Sequence, residues 1–117
     1  MKDPVETFFA AWSVTDAPDR LAMIAATLAD APTYTDPRTP DPLTSAKEVA
    51  DYVGMFIAAA PGAVARVAKT DTLHGMTRAT VEFRMADGKT QHGQYFIEYA
   101  DDKIARMAGF VGTGAPQ

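Results

Sequence analysis

The chain changes texture at Gly62, and that change fixes most of what it can become. Before it, apolar residues recur at helical spacing; after it, they alternate. Val5, Phe8, Phe9 and Trp12 fall at i, i+3, i+4 and i+7, behind an N-cap at Asp3 and a proline at the first helical position. Asp16 caps a second helix with Pro18 and Asp19 in its first turn. Its stripe is Leu21, Ile24 and Leu28, and it is expected to end at Asp30-Ala31-Pro32. Residues 33–36 read as short and extended, and Pro37, Pro40 and Pro42 exclude a helix beyond them. Ser45 to Glu48 has the Ser-x-x-Glu capping pattern and opens a third helix, with Val49, Tyr52, Val53 and Phe56 on one side, stopped by Pro61-Gly62.

Beyond Gly62, residues 64–73, 78–85, 90–99 and 103–111 read as four strands, with turn signals at Asp87-Gly88 and Asp101-Asp102. Ala79, Val81, Phe83 and Met85 share one face of the second of these; Arg78, Thr80, Glu82 and Arg84 share the other. Helices first, then a meander of long antiparallel strands, predicts an α+β fold with the helices covering one sheet face.

With 117 residues, one domain spanning 1–117 is expected, large enough to hold a core without staples. There is no cysteine, hence no disulfide, no thiolate nucleophile and no zinc–cysteine site. The eleven Lys and Arg are scattered and the net charge is −4, so a nucleic-acid partner is not expected. The opening MKDPVETFFAAW lacks the apolar stretch of a secretory signal, and no apolar run approaches bilayer length. A cytoplasmic protein without a membrane partner is the expectation. Residues 112–117 read as a loose tail.

Three strings carry a family resemblance. The first is Phe8-Phe9-Ala10-Ala11-Trp12 followed by an Asp-initiated helix. The second is Leu28-Ala29-Asp30-Ala31-Pro32-Thr33-Tyr34-Thr35-Asp36-Pro37, with a proline-rich loop and a capped helix after it. The third runs from Asp102-Lys103-Ile104 to Ala108-Gly109-Phe110-Val111-Gly112. In this order, over about residues 4–112, the sequence resembles the SnoaL-like polyketide cyclase and ketosteroid isomerase branch of the nuclear transport factor 2-like superfamily. The resemblance implies a cone-shaped, curved antiparallel sheet with the three helices on its concave face. It also implies a ligand-sized cavity between the layers, and commonly a homodimer through the sheet. The superfamily holds isomerases, cyclases, dehydratases and hydrolases as well as non-catalytic binding modules, so it specifies fold more than reaction.

Asp36 is the central candidate for chemistry. It falls at the position of the general-base aspartate of ketosteroid isomerases. A carboxylate at a strand end, pinned by the following proline, suits proton shuttling at a cavity mouth. The competing reading is a turn cap, since Asp before Pro commonly initiates turns. The family's helix-one tyrosine position falls on Phe8, which cannot donate. Its strand acid falls on Tyr95 or, in the alternative register, on Gln94; Tyr95 keeps Glu98 facing outward, where no unpaired charge is buried. Tyr34, two residues before Asp36 on a strand, faces the same way. The catalytic candidates are therefore Asp36, Tyr34 and Tyr95. Phe8, Trp12, Tyr52, Phe56, Phe83 and Met85 are the candidate pocket wall. His74, at a predicted turn beside Gly75, and His92, on the face away from Tyr95, lack metal-ligand spacing, and neither a metal nor a cofactor is expected. A hydrophobic small molecule is the expected partner. Two functions remain open: cofactor-free proton transfer on an apolar carbonyl compound, or a dimeric binding or scaffold module without turnover.

Overall fold

A computed structural model describes residues 3–112. Helices α1 (Pro4–Ala10), α2 (Ala17–Thr27) and α3 (Ala46–Ala59) precede β2 (Val64–Leu73), β3 (Met76–Arg84), β4 (Thr90–Ala100) and β5 (Lys103–Val111), and β1 (Leu28–Thr35) lies between α2 and α3. The caps are those the sequence signals. Asp3 accepts from the Val5 amide at 2.9 Å, Asp16 from that of Asp19 at 3.0 Å and Ser45 from that of Glu48 at 3.1 Å. Glu48 turns its own carboxylate to the amide and hydroxyl of Thr44, at 2.9 and 3.2 Å, so the reciprocal half of the capping box closes one residue early. A single 3-10 turn, Ala11–Ser13, prolongs α1 and carries Trp12.

The sheet is curved, in the order β1-β5-β4-β3-β2, and its pairs are antiparallel except for β1 with β5, which run parallel. That parallel edge corrects the sequence reading in two ways. Helix α2 stops at Thr27, whose hydroxyl bonds back to the Ile24 carbonyl at 2.8 Å, and not at Asp30-Ala31-Pro32. Residues 28–35 then form one strand in place of a short piece at 33–36. The helical stripe misread this stretch because Leu28 is buried from the strand against Ile104 of β5, while Leu21 is 36% exposed. Tertiary pairing outweighs local spacing here. Pro32 is tolerated because β1 is an edge strand. The proline-rich loop folds back over that edge: Tyr34 and Leu43 exchange both backbone hydrogen bonds, at 2.9 and 2.8 Å.

The hairpins turn tightly. His74 and Gly75 both have positive φ (50° and 80°), as do Asp101 and Asp102 (52° and 63°), the geometry of two-residue turns between twisted strands. β3 starts at Met76 and ends at Arg84, so Met85 sits in the Asp87-Gly88 turn, not on the strand face with Phe83. Ala79, Val81, Tyr95, Ile97 and Met107 line the inner sheet face and pack with Val5, Phe8, Phe9, Ile24, Val49 and Val53 of the helices into one core. Arg20 pairs with neither Asp16 nor Asp19. Its guanidinium bonds the carbonyls of Val14 (2.8 Å) and Thr15 (3.4 Å) and rests on Gly54 of α3, tying the first two helices to the third. The expectation of a loose tail at 112–117 falls, apart from Gly112, outside the described residues.

Candidate functional site

Asp36 follows the last residue of β1, where Pro37 turns the chain. One carboxylate oxygen serves the turn: Oδ1 accepts from the amides of Arg38 (2.8 Å) and Thr39 (3.2 Å). The other serves the interior: Oδ2 accepts the hydroxyls of Tyr34 (2.7 Å) and Tyr52 (2.5 Å). The two readings of Asp36, turn cap and interior carboxylate, are thus both realised, one on each oxygen. Four donors fill roughly the four acceptor positions a carboxylate offers. Thr39 completes the turn, with its hydroxyl accepting from the Asp36 amide and donating to the Asp36 carbonyl.

Tyr34 is buried, as two-residue spacing from Asp36 requires, and Tyr52 reaches the same oxygen from α3. Sequence reasoning placed Tyr52 only in the pocket wall; its role as a donor to Asp36 depends on how α3 docks, which no local pattern encodes. Tyr95 faces inward on β4 and Gln94 outward, where it donates to Thr80 at 3.0 Å. Asp36, Tyr52 and Tyr95 border one pocket of about 110 Å³, walled by Trp12, Phe56 and Phe83. That is below the ~150 Å³ apolar cavity known to admit benzene and well below the roughly 300 Å³ at which ordinary ligand pockets begin, so only a compact ligand could enter. Phe8, fully buried beneath Tyr34 with ring centroids 6.0 Å apart, lies in the core below the pocket, and Met85 is outside its lining. His74 is exposed at its turn, and the His92 ring lies 3.7 Å from the Glu82 carboxylate.

Two glycines shape this pocket and were missed. Gly109 is the cross-strand partner of Tyr95, and a Cβ there would lie 2.5 Å from the ring carbon Cε2. A Cβ on Gly93 would lie 3.1 Å from Cε1 of the same ring. The Tyr95 ring therefore lies close against bare backbone, with Phe9 packed on it and the pocket on its open side. The signal was legible: a glycine inside a strand marks a close approach.

Burial pushes the hydroxyls of Tyr34, Tyr52 and Tyr95 above the ordinary tyrosine range, and the Asp36 charge adds to each. Burial likewise raises Tyr99. These are all four tyrosines of the chain. A proton held more tightly in the folded state stabilises it below the unfolded pKa of about 10, and that contribution is lost as pH rises toward the folded value. Phenolate absorbance of Tyr34, Tyr52 and Tyr95 should therefore be absent at pH 10 and appear above it with loss of the near-UV circular dichroism, whereas Tyr99, bonded to Thr77, lies outside this network. Titration of more than one tyrosine near pH 10 in the still-folded protein would contradict the network.

No protein-family model matches the chain, and no curated protein matches it. Solved structures do. A provisionally assigned isomerase of the SnoaL-like family from Agrobacterium tumefaciens superposes with a TM-score of 0.84 at 20% identity, over 94% of this chain and 95% of that one. A provisionally assigned polyketide cyclase from Sinorhizobium meliloti gives 0.73 at 17%, over 93% and 94%. A provisionally assigned ketosteroid isomerase from Kribbella flavida gives 0.70 at 17%, over 97% and 78%. Together they define the class: an α+β cone with helices inside a curved sheet. The chain has the NTF2-like fold, and its structural neighbours include SnoaL-like isomerase and cyclase structures.

Proposed function

We propose that this protein is a small-molecule pocket protein that moves a proton on a compact apolar carbonyl compound without a cofactor. The observation that carries the reading is the Asp36 Oδ2 oxygen, bonded by two tyrosine hydroxyls at the border of a small aromatic pocket. Tyr52 is only half-buried and borders the pocket, so its hydroxyl can pass from Asp36 to a bound carbonyl oxygen. That swing uncovers one lone pair of Oδ2. Asp36 then takes the proton from the carbon next to the carbonyl, and the oxyanion that forms is met by the displaced Tyr52 hydroxyl, with Tyr95, hydrogen-bonded to Tyr34, at the same pocket border. Returning the proton to a different carbon gives isomerisation; attack of the enolate on a second carbonyl gives cyclisation. The assay is exchange of solvent deuterium into cyclohexanone followed by NMR: a rate above buffer supports catalysis, and a rate equal to buffer refutes it.

A second reading, binding without turnover, is favoured by the four donors that occupy Asp36. In either case the same domain is expected to pair with a second copy. Phe96 and Phe110 stack edge-to-face on the outer sheet surface, ring centroids 5.8 Å apart, and both are exposed, as is Met76. Sedimentation should report twice the 12.5 kDa chain mass, and Phe96→Lys with Phe110→Lys should halve it. A monomer in the unaltered protein would refute this pairing.

A further inference from the structure

The side chain of Arg38 is the feature that the scheme above leaves unused. Arg38 follows Asp36-Pro37, is exposed, and borders the inner pocket. It also borders an outer groove of about 520 Å³ between the proline-rich loop and α3, together with Tyr52 and Phe56, which line both cavities. Arg38 therefore stands on the rim that the two share. Its charge is felt inside: burial raises the Tyr52 and Tyr95 hydroxyls, and the positive charge of Arg38 works against that rise at both. Among the described residues its guanidinium has neither an ion-pair partner nor a hydrogen bond; only its backbone amide is engaged, with Asp36. The acids around it are held elsewhere. Asp36 has its four donors, Glu48 is turned to Thr44, and Asp51 pairs with Lys47 at 3.0 Å. No other Lys or Arg among the described residues borders either cavity.

We infer that the Arg38 guanidinium is an anion-recognition group for the pocket's occupant, which is therefore a compact keto acid, with its carbonyl inside and its carboxylate at the rim. Resting on the pocket reading proposed above, this narrows the ligand class from carbonyl compounds in general to those that carry one carboxylate a short chain away. A guanidinium presents a planar fork of donors that matches a carboxylate. The negative charge must also stay clear of Asp36, which borders the same pocket. A carboxylate brings one charge into that setting, whereas a phosphate monoester brings about two. The same cation gives orientation: an acid held at the rim directs the ketone end, and not the acid end, toward Tyr52 and Asp36.

The test compares levulinate with its primary amide, which share a shape and differ in charge. Binding is followed by NMR titration, and deuterium exchange next to the ketone is read on the same samples. At low ionic strength the acid is expected to bind about three- to tenfold more tightly than the amide, and added sodium chloride should shrink that preference. Arg38→Gln is expected to cancel the preference or reverse it, because the Asp36 charge then stands unopposed. Arg38→Lys is expected to keep part of it. Both variants retain the backbone amide that bonds Asp36, so the turn is preserved. If acid and amide bind the unaltered protein equally, or if the preference for the acid survives Arg38→Gln, the inference is overturned, while exchange into the amide keeps the pocket reading alive. If neither compound binds or exchanges above buffer, both are overturned.

Discussion

Asparagine at position 36 is expected to slow ketone deuterium exchange by roughly 10²–10⁴, the range that a positioned general base supplies. Stability should fall by only about 1 kcal/mol. The substitution keeps the shape and separates the two jobs of the side chain. The amide oxygen still accepts from the backbone of Arg38 and Thr39, so the turn survives. The amide nitrogen takes the place of Oδ2 and meets the hydroxyls of Tyr34 and Tyr52. A hydroxyl can rotate to accept as well as donate, so both tyrosines can be satisfied without a carboxylate. What is lost is the proton acceptor. Thermal melting and exchange are measured on the same sample. A variant that melts near the parent temperature and still exchanges at the parent rate would dismiss Asp36 as the base; one that binds ketone unchanged without the parent ever exchanging would favour the binding reading.

Among the described glycines, Gly109→Ala should be the most costly substitution by alanine. The new Cβ would stand 2.5 Å from Cε2 and 2.9 Å from Cδ2 of Tyr95, closer than real contacts allow. Neither strand can retreat, because Tyr95 and Gly109 are paired within the sheet. The ring must tilt instead. Phe9 packs against it with centroids 4.8 Å apart, so its open direction is the pocket. Overpacking of this kind costs about 1–3 kcal/mol, and the pocket closes with it. The cause is steric and not conformational, since Gly109 is not among the positive-φ glycines. Hence the effect should vanish without the ring: with Tyr95→Ala already present, alanine at 109 should be neutral or stabilising by about 0.5–1 kcal/mol. Chemical denaturation of the four proteins of this cycle is the measurement. An additive cycle would show that the ring is not what the methyl meets.

Most of the scaffold could be read from residues alone, and the exceptions share a cause. Asp3, Asp16 and Ser45 signal their helices through bonds made within a few residues, and the hairpin turns announce themselves by Gly and Asp. The first strand did not, because its burial is set by β5, about 75 positions along. The site divides in the same way. Tyr34 and Asp36 are linked by strand alternation, and Tyr95 was placed by keeping Glu98 outside, where it lies 3.8 Å from Arg106. Tyr52 reaching Asp36, Phe8 sinking below the pocket and Tyr95 lying on Gly109 all depend on the distance between layers, which spacing along the chain does not record.

The covered margin of β1 bears on how the protein behaves in crowded solution. Pro32 removes a donor from that margin, and the Leu43 segment occupies the backbone groups of Tyr34. Incoming chains therefore find no continuous row of amides there to extend into a fibril or a swapped assembly. Among the described residues no strand pairs with the outer side of β2, the opposite margin, which carries Arg66, Lys69 and Asp71 to repel or misalign a newcomer. Any polymer this protein forms should start from that side.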